Sequence, residues 1–252
     1  GVKKAVSSAI TWFLNEVGEG IIIEYDCVPS QSFFWFCQEL LEKYRNDNRI
    51  MTINGSNFMF EEKHTDDSYY FSKLPSVWGW ATWKRAWDYW DGELNTFPEI
   101  KKQDLLSSIF KTKRTVKYWE NKFNQVLENI DRTWGHPWCY AVISQNGLCV
   151  TSSVNLISNI GFTDEATHAV DKKNILSNLK RCEIKDIKHP TTVICDCSAD
   201  EKVMLHYPRL SNKDILIVFL KKVFLQMIPS DYHLRIKTIY RRFKEKIKNA
   251  KN

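Results

Sequence analysis

The sequence has no cysteine pair at CxxC spacing, no internal repeat, no low-complexity segment and no apolar run long enough to cross a bilayer. The missing CxxC pair argues against the usual zinc sites, and Cys195-Asp196-Cys197 is too tightly spaced for one. The seven cysteines are an odd number, which favours free thiols in a reducing compartment. The strongly apolar stretch 215–228 is broken by Lys221 and Lys222, and it is too short for a transmembrane helix.

A secretory leader with a charged start and a small-residue cleavage site is also missing. The chain instead enters a helical pattern at once, with apolar residues recurring every three or four positions over 2–17. We therefore expect a cytoplasmic protein, and we expect that sequence preceding Gly1 has been lost.

What is present is ordinary for a globular protein, with 43% hydrophobic and 26% charged residues in 252, apart from ten tryptophans. Clustered tryptophans often line a site for a sugar or another planar-faced ligand. The alternative for each of them is packing in the hydrophobic core.

Positive charge is concentrated at the end of the chain. Residues 211–252 hold eleven Lys and Arg against three Asp and Glu, whereas the remainder holds 25 against 27. After Pro229, apolar residues follow one helical face and basic residues cover the rest, which is typical of a helix on an anionic membrane surface. A solvated helix docked on its own domain is the alternative. Nucleic acid is not expected as a partner, because no known binding motif accompanies the charge.

An apolar run, Ile21-Ile22-Ile23, leads directly into two carboxylates, Glu24 and Asp26. Its length predicts a buried central strand over 20–25, followed by a turn at Pro29. Ligands of open α/β sheets bind at the carboxyl ends of strands, and carboxylates there can hold a divalent cation that in turn holds a diphosphate.

Helix and strand patterns alternate around this run. We predict a helix over 2–17, a second helix from Ser30 or Ser32 to about Tyr44, and strands over 20–25 and 49–53. One face of the second helix is predicted to be apolar, with Phe33, Phe36, Cys37, Leu40, Leu41 and Tyr44. These elements form a β-α-β unit, so the two strands are expected to be parallel neighbours. Further on we predict aromatic loops over 75–83 and 134–138 and a strand over 148–152.

Four segments together resemble the GT-A glycosyltransferases of the nucleotide-diphospho-sugar transferase superfamily. The layout is similar to the N-acetylglucosaminyltransferase I type and to bacterial relatives described as HlpA-like. The segments are 24–26, which resembles the acidic metal and donor motif; 78–83, which resembles a Gly-aromatic loop beside the donor sugar; 134–138, which resembles a W-D-x-x-W segment; and 155–168, which resembles the closing loop.

The resemblance implies a Rossmann-like mixed sheet flanked by helices, with a basic helical C-terminal extension. It divides the chain into a catalytic domain over 1–170 that lacks its first β-α-β segment, a closing segment over 171–210 and the basic tail over 211–252.

The implied reaction is metal-dependent, inverting transfer of a sugar from a nucleotide-diphosphate donor to a carbohydrate or lipid-linked hydroxyl acceptor, in polysaccharide biosynthesis at the inner face of the membrane. Mn²⁺ or Mg²⁺ would be held by Asp26 and His168. The donor would be bound by Glu24, Tyr25, Asp26, Trp78, Gly79 and Trp80.

Two positions depart from the family pattern. Tyr25 stands where the family has the middle acid of its motif, and Gly135 stands where it has the aspartate that serves as catalytic base. Gly135 cannot accept a proton, so His136 or Asp131 is the candidate base. These departures favour a second hypothesis, a non-catalytic binding or scaffold domain on the same fold.

Ordinary structural roles remain open for several of these residues. Asp26 is placed where a turn or helix cap would be, and Glu24 could pair with a buried arginine. His136 and His168 could be structural histidines.

Overall fold

A computed structural model describes residues 1–59, 64–161 and 179–206. They form a mixed α/β fold in which helices flank a five-stranded sheet with parallel and antiparallel neighbours, as predicted at this level. The strands are β1 (Glu19–Ile22), β2 (Cys27–Pro29), β3 (Ile50–Asn54), β4 (Tyr69–Ser72), β5 (Trp80–Trp83), β6 (Leu148–Ser152) and β7 (Ile157–Asn159). The helices are α1 (Val2–Val17), α2 (Gln31–Tyr44), α3 (Lys84–Trp87), α4 (Phe97–Lys102), a 3-10 helix (Leu105–Ser108), α5 (Lys113–Leu127), α6 (Gly135–Ser144) and α7 (Cys197–His206).

The large sheet has the strand order β1-β5-β3-β6-β4. β3 and β6 are parallel, β4 is antiparallel to β6, and β5 is antiparallel to both β1 and β3. β1 and β3 therefore point the same way but lie on opposite sides of β5. A separate pair, β2 and β7, runs antiparallel with Cys27 opposite Asn159.

The prediction of a buried central strand over 20–25 beside the strand over 49–53 is wrong. β1 is an edge strand whose four residues are half-buried, and β5 takes the place between β1 and β3. All four residues of β5 are buried, so this strand has the larger apolar surface to remove from water. β5 comes from about 60 residues further along the chain, and an argument from local apolar runs does not include it.

Both predicted aromatic loops contain regular structure. Residues 80–83 of the first form β5, and 134–138 forms the start of α6 with Trp134 as its N-cap. Prediction succeeded where the periodicity was long: α1 has the bounds expected for it, β6 matches 148–152, and the apolar face expected on α2 is buried.

Each face of the large sheet is covered by helices. On one face, α2 packs on Ile53, Phe71 and Val150 through Phe33, Phe36 and Leu40 in a single apolar cluster. The opposite face carries a second cluster in which α1 and α6 cover Met51 and Cys149 around five tryptophans. These five, the tryptophan cluster, are Trp80, Trp87, Trp90, Trp134 and Trp138.

Parts of the predicted organisation fall outside the described residues. They include most of the closing loop after Gly161, with His168, and the basic tail over 211–252. Within the described ranges, no helix combines the length and apolar content that crossing a bilayer requires.

Candidate functional site

The acidic segment 24–26 lies in the turn between β1 and β2. Glu24 and Asp26 are half-buried, while the Tyr25 side chain is 97% exposed. The Glu24 carbonyl accepts a hydrogen bond from the Cys27 backbone N–H at 3.0 Å, which closes the turn. The turn therefore fixes the backbone that carries the two carboxylates, and the Tyr25 side chain points away from the core.

Glu24 is joined by a hydrogen bond to the segment 134–138. The indole Nε1–H of Trp134 donates to Glu24 Oε1 at 3.0 Å, across 110 residues of sequence. Trp134 is itself buried in the tryptophan cluster, so one end of its ring is fixed by packing and the other end orients the carboxylate.

Asp26 lies against the start of the predicted closing loop. Its backbone carbonyl accepts from the Ile160 N–H at 2.8 Å, extending the β2–β7 pairing by one residue. A Cβ at Gly161 would overlap Asp26 Oδ2, so only glycine allows the carboxylate to lie this close to the backbone. The Asn159 side chain, which accepts from Gly161 N at 2.7 Å, fixes that backbone.

The turn carries a negative electrostatic field. Burial, together with the charges of Asp26 and Glu24, raises the pKa of the Cys27 thiol to about 12. The Cys27 thiol donates weakly to Asp26 Oδ1 at 3.6 Å. The potential that disfavours a thiolate at Cys27 is of the sign that attracts a cation.

The segment 78–83 reaches the same region through Gly79. Gly79 has φ +61°, and a Cβ there would overlap Cδ1 of Ile157 in β7 and lie 2.7 Å from its Cγ1. The Gly79 carbonyl accepts from Gly55 N at 2.9 Å. Trp78 is half-buried and packs edge-on against Phe58, with ring centroids 5.7 Å apart.

Trp80 does not have the position expected of a sugar-binding residue. Its side chain is fully buried, and its ring stacks on Trp134 with centroids 5.6 Å apart. Stacking on a ligand requires an accessible ring face, and Trp80 has none. Its predicted role in donor binding is therefore wrong, and core packing explains this residue.

The two candidate bases are partners rather than alternatives. His136 Nδ1 is in hydrogen-bond contact with Asp131 Oδ2, and the two side chains are 24% and 10% exposed. Thr133 donates to Asp131 Oδ1 from its backbone N–H at 2.9 Å and from its hydroxyl at 2.7 Å. The carboxylate is thus held on both oxygens.

These contacts set the protonation state of Asp131. Burial on its own would raise the pKa of the Asp131 carboxyl, but the hydrogen bond and charge of His136 and the Thr133 donors hold it well below its usual range. Because Asp131 is ionised at neutral pH, the proton of neutral His136 belongs on Nδ1. Its Nε2 is then the proton acceptor.

Thr133 is the residue of this site that the sequence reasoning missed. Aspartate side chains often accept from the backbone N–H two residues on, in an Asx turn. Asp131 does so with Thr133, but most residues can supply that N–H, so the sequence carries no signal specific to Thr133.

The structure describes only one of the two predicted metal ligands, Asp26. Asp26 offers hard carboxylate oxygens, which suit Mn²⁺ or Mg²⁺, and a cation shared with a diphosphate needs few protein ligands. His168 lies outside the described residues. Among those described, no group of three or more His, Cys, Asp or Glu side chains is placed to hold a metal ion.

An open groove of about 1350 Å³ runs between β1 and α2. Ile21, Ile23, Trp35 and Glu39 are among its lining residues, and none of the predicted site residues lines it. Ile23, which lines the groove, directly precedes Glu24 in the chain. The groove is nevertheless a separate surface from the contacts of Glu24 and Asp26 described above.

The described parts of all four segments nevertheless meet in one region. Glu24 contacts Trp134, Asp26 contacts the loop at 160–161, and Gly79 contacts Ile157. The backbone at Gly135 lies beside Val77, since a Cβ added there would be 3.4 Å from the Val77 side chain. Comparison of the chain with protein-family models gave no match, and comparison with curated proteins gave no significant match.

Proposed function

We propose that the chain is a glycosyltransferase domain that moves a sugar from a nucleotide-diphosphate donor to a hydroxyl acceptor. The observation that carries the proposal is the Trp134–Glu24 hydrogen bond, because it joins the acidic segment to the segment of the candidate base. The two segments are far apart in sequence, and the sequence reasoning had assigned both to one site.

In this proposal Asp26 holds the diphosphate end of the donor. Its carboxylate fits Mn²⁺ or Mg²⁺, which when bound would neutralise charge developing on the departing diphosphate. Gly161 keeps the backbone clear of the carboxylate, and Glu24, oriented by Trp134, would accept from the donor's ribose or support the metal environment.

His136 is the proposed base. Asp131 holds the imidazole with its proton on Nδ1, so that Nε2 takes the proton of the acceptor hydroxyl as the acceptor oxygen attacks the anomeric carbon. The bond from that carbon to the diphosphate breaks in the same step, which inverts the configuration. The histidine thus supplies the function that Gly135 cannot.

Trp78, rather than Trp80, is the proposed aromatic contact of the donor sugar, because its side chain is only half-buried. The basic tail over 211–252 keeps its predicted role on an anionic membrane surface. That location suits an acceptor that is lipid-linked.

The test is an assay of donor hydrolysis and sugar transfer with Mn²⁺ and a panel of nucleotide-diphosphate sugars. His136→Asn and Asp131→Asn are expected to lower turnover by roughly 10²–10⁴-fold, the usual cost of removing a general base. Nucleotide affinity should change little in both variants, since the base acts on the acceptor.

His64→Asn is the matched control, because His64 and Asp196 form a similar half-buried pair elsewhere in the fold. It should leave turnover unchanged. Turnover that survives in His136→Asn, or that falls equally in His64→Asn, would contradict the assignment of His136.

A second candidate is a non-catalytic domain that binds nucleotide. It is favoured by the N-terminus of α6, where Gly135 offers no carboxylate. Nucleotide binding without turnover for every donor would support this candidate over the transferase.

A further inference from the structure

Two thiols lie side by side where the chain enters α7. The Cys197 thiol donates to Cys195 Sγ at 3.7 Å, and Cys197 is exposed while Cys195 is half-buried. Cys195 forms a parallel bridge with Phe71 in β4, and the next backbone N–H, of Asp196, donates to Phe71 O at 2.7 Å. One thiol is therefore anchored to the sheet and its neighbour faces solvent.

The anchored thiol contacts a buried carboxylate. Cys195 Sγ donates to Asp200 Oδ2 at 3.4 Å, and the same oxygen accepts from Lys73 N at 2.8 Å. The other oxygen accepts from the Ser72 hydroxyl. Burial raises the pKa of Asp200 to about 6, and burial together with the Asp200 charge raises the pKa of the Cys195 thiol well above its ordinary value. Cys195 is therefore a thiol at neutral pH, and Asp200 can take its proton only as the Cys195 sulfur forms a new bond.

We propose that Cys195 and Cys197 form a peroxide-sensitive dithiol that closes to a disulfide. The exposed Cys197 sulfur attacks hydrogen peroxide, which leaves a sulfenic acid and releases one water. Cys195 sulfur then attacks the Cys197 sulfur and displaces hydroxide, which leaves as a second water with the Cys195 proton taken through Asp200. Both sulfurs are oxidised, and the peroxide is reduced to two waters.

The geometry requires little movement. The sulfurs must approach from 3.7 Å to the usual bond length of about 2.05 Å. The other five cysteines lie elsewhere in the chain, and four of them are buried.

Closure changes how α7 is held. The disulfide removes the S–H donor of Cys195, so Asp200 in α7 loses its contact with the residue that bridges to β4. The remaining attachment is the Ser72 and Lys73 bonds and an apolar cluster that includes Tyr70, Ala199 and Val203. Oxidation is therefore expected to loosen α7 reversibly.

Trypsin provides a direct test, because the peptide 189–202 contains Cys195 and Cys197 and no other cysteine. The full chain is treated with hydrogen peroxide, its free thiols are alkylated, and the peptide is measured by mass spectrometry. We expect it to lose two hydrogen atoms, to escape alkylation, and to recover both thiols after reduction with dithiothreitol.

Cys195→Ser should trap the sulfenic acid, so that labelling of Cys197 with dimedone rises several-fold above wild type. Cys182→Ser is the control, since Cys182 is also half-buried but has no second thiol described beside it. It should leave disulfide formation unchanged. Amide hydrogen exchange over 197–206 should increase on oxidation and return after reduction.

The proposal is overturned if peptide 189–202 keeps both thiols while other cysteines oxidise. It is also overturned if Cys197 passes to the sulfinic acid with Cys195 still reduced. Both readings come from the wild-type chain, so they do not depend on a variant that folds poorly.

Discussion

At the scale of single residues, two buried carboxyl groups are shifted in opposite directions. Asp131 is surrounded by donors and a histidine, which hold its pKa below the ordinary value. Asp200 has donors too, but burial dominates and raises its pKa from 3.8 to about 6. Asp131 therefore stabilises the fold as an anion, whereas ionisation of Asp200 costs free energy of folding.

These shifts predict opposite pH dependences of stability. The Asp131 contribution is present above about pH 4 and is lost as the pH falls. Ionisation of Asp200 should lower the free energy of unfolding of the wild-type chain by up to ~3 kcal/mol as the pH rises from about 4 to 6. Denaturant unfolding of wild type, Asp131→Asn and Asp200→Asn across about pH 3–7 measures both.

Relative to wild type, the penalty of Asp131→Asn should grow with pH, while that of Asp200→Asn should shrink. If both penalties stay parallel across this range, the pKa directions assigned to the two groups are incorrect.

At the scale of elements, the sequence predicted those whose pattern is long and local. Sixteen residues with regular apolar spacing identified α1, and the buried face of α2 could be named residue by residue. β5 has only four residues and directly follows Gly79, so in the sequence it resembled part of a loop. Its place at the centre of the sheet depends on pairing with strands distant in sequence, which no local pattern contains.

Gly79, immediately before β5, offers a test at this scale. Gly79→Ala should destabilise the chain by roughly 2–4 kcal/mol, because it adds left-handed strain of about 1–2 kcal/mol to overpacking against Ile157. Gly18→Ala separates these costs, since Gly18 has φ +80° but open space around its Cβ. Gly18→Ala should lower the free energy of unfolding only by the strain of the left-handed backbone.

A double-mutant cycle with Ile157→Ala isolates the overlap. Adding Gly79→Ala to an Ile157→Ala background should cost close to what Gly18→Ala costs. An equal penalty in both backgrounds would show that Gly79 does not press on β7.

At the scale of the whole molecule, the candidate site is built from contacts that join distant parts of the chain. The sequence pattern and the family resemblance together proposed Glu24, Asp26 and His136 as site residues. It did not reveal that Asp131 and His136 form a pair, because two candidate bases five residues apart can point anywhere. It also mistook Trp80 for a ligand contact, because burial depends on the helices that cover it.

The transferase proposal rests on a carboxylate that holds a cation and a diphosphate together. The most direct measurement is calorimetric titration of UDP, GDP and CDP into the chain with and without Mn²⁺, for wild type and for Asp26→Asn. Asp88→Asn, which removes an exposed carboxylate paired with Lys84, is the matched control, and circular dichroism checks folding.

Wild type and Asp88→Asn should bind a nucleoside diphosphate more tightly when Mn²⁺ is present, and Asp26→Asn should lose about tenfold or more of that affinity. If folded Asp26→Asn binds with unchanged affinity and unchanged dependence on Mn²⁺, the acidic turn is not the diphosphate site.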